Sequence, residues 1–272
     1  VIQQLYREAL VWQQQSHGHI LPFLRIDKNN NFSLVSPWMQ YGSVLQYLET
    51  LGPANVELIP ILSQVAAGLE CLHEENIVHG DLQGANILID ETRQAHLADF
   101  GLSIFADSTR GAFTTSSGAG LTCWMVPELI GREQFGFDCA QRSHPSDVYA
   151  FGHVCLEIYT GHPPFLEHNS EPAVITKVLA GKQPTHPTKD DCPGRCMSDE
   201  LWRLMKLCWT HNPAGRLSAS KLIYFMARVE QSDRSSSELV DGSPKKEEQD
   251  HQNSITSAFI SNFEDIGGED SE

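Results

Sequence analysis

The sequence predicts an α+β fold that is mostly helical, with short sheet elements near its front. Three observations predict it. Leu58, Leu62, Val65, Leu69 and Leu72 recur at spacings of four and three, which marks an amphipathic helix over residues 55–75. "SDVYAFGHVCLEIYTG", Ser146 to Gly161, is apolar nearly all the way round and predicts a helix buried on every side. "ILPFLRID" and "FSLVSPWM" are short apolar runs split by "KNNN", a strand–turn–strand pattern.

In chain order, residues 1–15 read as a helix with Leu5, Ala9 and Trp12 on one face and Glu8 at its edge. The chain opens without a Met or a signal-peptide pattern and reads as entered partway through that helix, so a fragment is expected. Within the 55–75 helix, Pro60 is tolerable only near the first turn. "NILID" and "AHLAD" flank "ETRQ" as a hairpin. Ser146 is the expected N-cap of the buried helix, and Gly161 with the two prolines after it forms the stop. "DELWRLMKLCWTHNP" and "SASKLIYFMARVEQ" read as two more helices.

Composition changes after residue 230. The last 42 residues carry eleven acids and three bases, a net −8, with few apolar residues, so 231–272 is expected to be a disordered acidic tail. Within it, "ITSAFISNFEDI" is the one candidate docking segment; a solvated tail with accidental aromatics is the plainer reading.

The 272 residues suffice for one large or two small cores. A formal charge of −16 argues against nucleic acid or an anionic membrane as the main partner, and no apolar run is long enough to span a bilayer. The seven cysteines are odd in number and scattered, and no four-ligand zinc set is evident. Reduced thiols in a cytoplasmic or nuclear protein are expected. The sequon at Asn31 reads as chance, and His17 and His19 as exposed loop histidines.

Chemistry enters at "VHGDLQGANILID", Val78 to Asp90, which contains H-x-D-L-x-x-x-N. Thirteen residues beyond Asn86 comes "DFG", Asp99 to Gly101, followed in order by "WMVPEL", "SDVYAFG" and "CWTHNPAGR". Each is weak alone; five in this order are not chance. On these motifs residues 1–230 resemble the eukaryotic protein kinases, most closely the tyrosine-kinase-like group of Ser/Thr kinases and, within it, the expanded families of basidiomycete fungi.

The resemblance implies a protein-kinase-like fold: the helical C-lobe (41–230), with helix C and a remnant of the N-lobe sheet (1–40). It implies ATP and Mg²⁺ as cofactors and a protein substrate. Asp81 would accept or orient the attacking hydroxyl; Asn86 and Asp99 would hold Mg²⁺. Glu8 matches the helix-C glutamate that pairs with a lysine on strand 3. Trp12 would point toward Phe100 and His79 in a packed column. Ser36 takes the gatekeeper place, Met39 would offer its backbone to adenine, Ser43 falls near the ribose, and Leu88 would pack beneath the base. Glu128 and Arg216 match a buried ion pair, and Asp147 would cap backbone amides of the catalytic loop. The Ser and Thr residues of 108–120 lie where kinases carry an activation loop.

The chain departs from the pattern as well. No glycine-rich loop or strand-3 lysine lies ahead of Glu8, so this stretch is expected to form a large lobe with a frayed cap and to turn over poorly. Gly80 replaces the Arg of H-R-D, which implies activity independent of an activation-loop phosphate. Gln83 replaces a lysine that helps neutralise the transferring phosphate, and an amide cannot supply that charge. Leu121 stands where a Thr braces the catalytic Asp, with Thr122 adjacent. These departures support an alternative, a pseudokinase acting as a binding or scaffold module.

Overall fold

A computed structural model describes residues 2–28, 33–99, 104–105, 126–137, 142–165, 170–192 and 194–241. Helix α1 (Ile2–Trp12) buries Ala9, Val11 and Trp12. Strands β1 (Arg25–Asp27) and β2 (Ser33–Val35) form an antiparallel pair with Ile26 opposite Leu34. Both are shorter than the apolar runs that predict them. Pro22 and Pro37 lie in those runs, and a proline donates no ladder hydrogen bond.

Helix α2 (Val44–Leu51) follows, with Ser43 and Gln46 forming a reciprocal capping box. It was not anticipated, although S-x-x-Q is a legible start signal. Helix α3 (Leu58–Glu74) is the expected amphipathic helix, and Pro60 sits in its first turn. Strand β3 (Ile77–Val78) leads into the catalytic-loop motif, which ends in a 3-10 turn over Gly84–Asn86. Strands β4 (Ile87–Ile89) and β5 (Ala95–Leu97) form the hairpin, and β6 (Ile104–Phe105) pairs antiparallel with β3. Helix α4 (Pro127–Ile130) carries Glu128 in its first turn.

Helix α5 (His144–Thr160) is the centre of the large unit, buried from Ser146 to Tyr159 and packed against α3. Its N-cap is Ser143 rather than Ser146. Ser146 is the third helical residue and completes a capping box, its hydroxyl accepting from the Ser143 amide at 2.9 Å. The helix starts a turn early because Pro145, lacking an amide hydrogen, fits the first turn, where that hydrogen has no partner. Gly161 ends it in the left-handed region at φ 74°. Helices α6 (Glu171–Leu179), α7 (Asp199–Cys208) and α8 (Ala219–Asp241) follow, with α7 packed on α5.

The chain divides into two compact units, Val1–Glu230 and Gln231–Glu272. Helix α8 runs on past the composition break at 230, and residues 242–272, including the candidate docking segment, lie outside the described residues. No helix among the described residues is long and apolar enough to cross a membrane. The five described cysteines, Cys71, Cys155, Cys192, Cys196 and Cys208, are unbridged.

The buried helix carries one polar liability. His153 is fully buried between Tyr149, Phe165 and Trp209, and neither ring nitrogen has a hydrogen-bond partner. Burial, then the nearby Arg216 charge, pushes its pKa down from 6.5 to about 3. The unfolded chain therefore takes up the proton first, and stability falls as pH drops from 6.5 toward 3. The loss is at most about 1.4 kcal/mol per pH unit. Thermal melts between pH 6.5 and about 4.5 are expected to show this fall, and His153→Leu to flatten it. A variant that keeps the full slope would rule the residue out.

Candidate active site

The loop from His79 to Asn86 is held from behind by α5. Asp147 accepts from the His79 amide at 2.8 Å, the Gly80 amide at 2.9 Å and His73 Nε2 at 3.0 Å. Burial alone would raise this carboxyl. The hydrogen bond and charge of His73, with the attraction of His79 and the Gly80 amide, more than offset that and hold it below the usual carboxylate range. Gly80 takes φ 80°, in the left-handed region that suits glycine. Further along the same helix, the buried Glu157 carboxylate accepts the Gly84 amide at 2.8 Å. One helix thus grips both ends of the loop.

Within the loop, Asn86 Nδ2 donates to the Asp81 backbone oxygen at 2.8 Å and to Asp81 Oδ2 at 3.0 Å. An amide that donates through Nδ2 presents Oδ1 as its acceptor end. Gln83 Nε2 donates to the same Asp81 Oδ2 at 3.2 Å. A neutral amide therefore contacts the carboxylate at the place where the resemblance expects a lysine.

Asp99 is tied to this loop through its neighbour. The Ala98 amide donates to the Asn86 carbonyl at 2.9 Å, and the Ala98 carbonyl contacts His79 Nε2 at 3.0 Å. The Asp81 amide donates to His79 Nδ1 at 3.2 Å, so both His79 contacts are satisfied by the tautomer with its proton on Nε2. Asp99 itself is exposed and sits at φ 63°, a region that costs a non-glycine residue on the order of 1–3 kcal/mol. Phe100, Leu121, Thr122 and residues 108–120 lie outside the described residues.

Residues 41–43, in the stretch where the resemblance expects the nucleotide, pair with β4. Tyr41 donates to the Ile89 carbonyl at 3.1 Å, Ile89 donates to the Gly42 carbonyl at 2.8 Å, and Ser43 bridges Leu88. Met39 is buried, and its carbonyl accepts the Gly42 amide at 3.1 Å. Ser43 Oγ accepts from the Gln46 amide at 3.3 Å, a capping role the sequence reading did not assign. Ser36 Oγ donates to the Pro37 carbonyl at 3.4 Å.

Glu8 lies on α1 and is half-buried. Partial burial, then the Asp99 charge, pushes its carboxyl up to about 7. Trp12 is buried against Phe23, ring centroids 5.4 Å apart, and its indole N–H donates to the Leu21 carbonyl.

Below the site, Arg216 meets Glu128 in a bidentate pair at 2.6 and 2.7 Å, both side chains buried. Arg216 also donates to the carbonyls of Thr210 (2.8 Å), Pro145 (3.2 Å) and His211 (3.3 Å), and its guanidinium lies 4.8 Å from the Tyr149 ring centre.

Glu157 is the site residue that motif reading missed. An acid in the middle of a helix apolar all round is itself a signal, because a buried carboxylate needs a donor.

Residues 1–226 match the family described as protein tyrosine and serine/threonine kinase. The chain belongs to this family. Its kinase relatives are of both specificities. It is 32% identical over 232 residues to "Tyrosine-protein kinase Shark" of Drosophila melanogaster, covering 83% of this chain and 23% of that protein. It is 31% identical over 216 residues to "Ephrin type-A receptor 1" of Mus musculus, covering 77% and 20%. It is 30% identical over 222 residues to "Serine/threonine-protein kinase STY46" of Arabidopsis thaliana, covering 80% and 35%. The kinase-family chain thus spans about a third or less of the length of these curated relatives.

Proposed function

We propose that this protein is a Ser/Thr protein kinase of the tyrosine-kinase-like group, most like those of basidiomycete fungi. It would transfer the γ-phosphate of ATP to hydroxyl groups of a protein substrate, in the cytoplasm or nucleus. The observation that carries the reading is the Asp81–Asn86 pair, bonded at 3.0 Å and joined through Ala98 to Asp99. Asp81 orients the substrate hydroxyl and takes up its proton. The Asn86 amide oxygen and the exposed Asp99 carboxylate form an all-oxygen donor set, which suits a hard cation such as Mg²⁺. Bound there, the ion would neutralise phosphate charge. Met39, Ser43 and Leu88 line the nucleotide side.

Mg²⁺ and ATP at about a hundred times the dissociation constant are expected to stabilise the protein by about 2.7 kcal/mol. That shifts the melting midpoint by several degrees, and Asp99→Asn should remove the shift. A shift that survives in the variant counts against Asp99 as a cation ligand.

A second reading, a pseudokinase that scaffolds partners, is favoured by one observation. Gln83 places a neutral amide 3.2 Å from Asp81 Oδ2, so turnover by this stretch is proposed to be slow. Phosphate transfer from ATP to a generic protein, measured on the full-length protein, separates the two readings.

A further inference from the structure

Gln83 and Asn86 both donate to Asp81 Oδ2, at 3.2 and 3.0 Å, and Gly84 lies between them in the chain. The place of Gly84 therefore governs how the two donors reach the carboxylate. Gly84 opens the 3-10 turn, and its amide donates to the buried Glu157 Oε2 at 2.8 Å. Its φ lies outside the left-handed region, so its backbone conformation does not call for glycine.

Space does. A Cβ at position 84 would lie 3.0 Å from Glu157 Oε2, 3.0 Å from Leu45 Cδ2 and 3.1 Å from Leu45 Cγ. Carbon atoms pack at about 3.5–4.0 Å, so a side chain here would press on its neighbours. One wall of this slot is α5 and the other is the start of α2. Leu45 is the second residue of α2 and is half-buried. Its backbone is held on both sides. Ser43 and Gln46 close the capping box at 2.9 and 3.3 Å, and Ser43 bridges Leu88 on β4, the strand that runs on from Asn86.

We propose that Leu45 is a positioning residue of the catalytic loop. It closes the slot around Gly84 opposite Glu157, and so keeps Gln83 and Asn86 where they fix Asp81. A hydrogen bond holds the loop on one side of the slot and an apolar side chain holds it on the other. The effect on turnover rests on the kinase reading; the effect on the loop does not.

The test compares Leu45→Ala, Leu45→Met, Gly84→Ala and the double variant Leu45→Ala/Gly84→Ala in the full-length protein, with Glu49→Ala, exposed on the same helix, as control. Hydrogen exchange of the Gly84 amide is expected to quicken about tenfold in Leu45→Ala, and to stay near wild type in Leu45→Met and in the control. In phosphate transfer, kcat should fall about tenfold in Gly84→Ala with KM for ATP unchanged, because residues 41–43 keep their pairing with β4. The double variant should recover most of that loss, since the shortened side chain at 45 leaves room for the added methyl. Unchanged Gly84 exchange in Leu45→Ala overturns the proposal. So does quickening that reaches α3 and α7 equally, or a Leu45→Met that exchanges as fast as Leu45→Ala. Losses that simply add in the double variant overturn it too. If Gly84→Ala does not fold, Gly84 exchange in the Leu45 variants decides alone. If the wild type transfers no more phosphate than Asp81→Asn, the kinase reading fails while the exchange data still decide the role of Leu45.

Discussion

Asp81→Asn is expected to lower phosphate transfer by about 10²–10⁴-fold, the range over which a positioned general base contributes. The variant keeps shape and removes the basic oxygen. It also disturbs a local arrangement, since Asp81 Oδ2 accepts from both Asn86 Nδ2 and Gln83 Nε2. An amide nitrogen at that position would confront two donors, so the side chain must turn its remaining oxygen toward them. The fold should tolerate this, because Asp147 and Glu157 hold the loop through backbone amides that the substitution does not touch. The check is a transfer assay on the full-length protein beside a thermal melt. Activity equal to wild type would remove Asp81 from the chemistry; a collapsed melt would make the loss structural.

The second large effect is on stability. Arg216→Ala leaves the Glu128 carboxylate buried without its partner, and breaking a buried pair costs about 3–5 kcal/mol. The same change strips donors from three carbonyls and the guanidinium from the face of Tyr149. For a unit of this size the midpoint should fall on the order of 10 °C. Removing both charges together, with Glu128→Ala added, should cost less than the sum of the single changes, because no lone charge is then buried. Denaturant melts of the four proteins measure that coupling. Additive losses would show that the pair contributes no interaction of its own.

Much of this fold was legible because its signals are local. The apolar spacing of α3, the all-round apolar α5 and the hairpin β4–β5 each follow from a few adjacent residues. The strands β1 and β2 shrank because the prolines in their runs override the apolar pattern. The cap of α5 was misplaced by three residues, since Ser143 and Ser146 offer the same chemistry and only the bonded geometry distinguishes them. In the site, motif spacing was enough to single out Asp81, Asn86 and Asp99. It could not reveal Glu157, whose relation to the loop arises from packing between elements far apart in the chain. Nor could it show that Gln83 contacts Asp81, which depends on a side-chain rotamer.

The two carboxylates that α5 extends to the loop have a consequence for how such a protein can change over generations. Asp147 and Glu157 fix the loop by its backbone, whatever side chains the loop carries at positions 81, 83 and 86. Shape and reactivity are therefore inherited through different residues. On the proposed reading, drift at Gln83 or Asp81 would silence the chemistry while the loop keeps its form, and a lineage could pass from enzyme to scaffold without an unfolded intermediate.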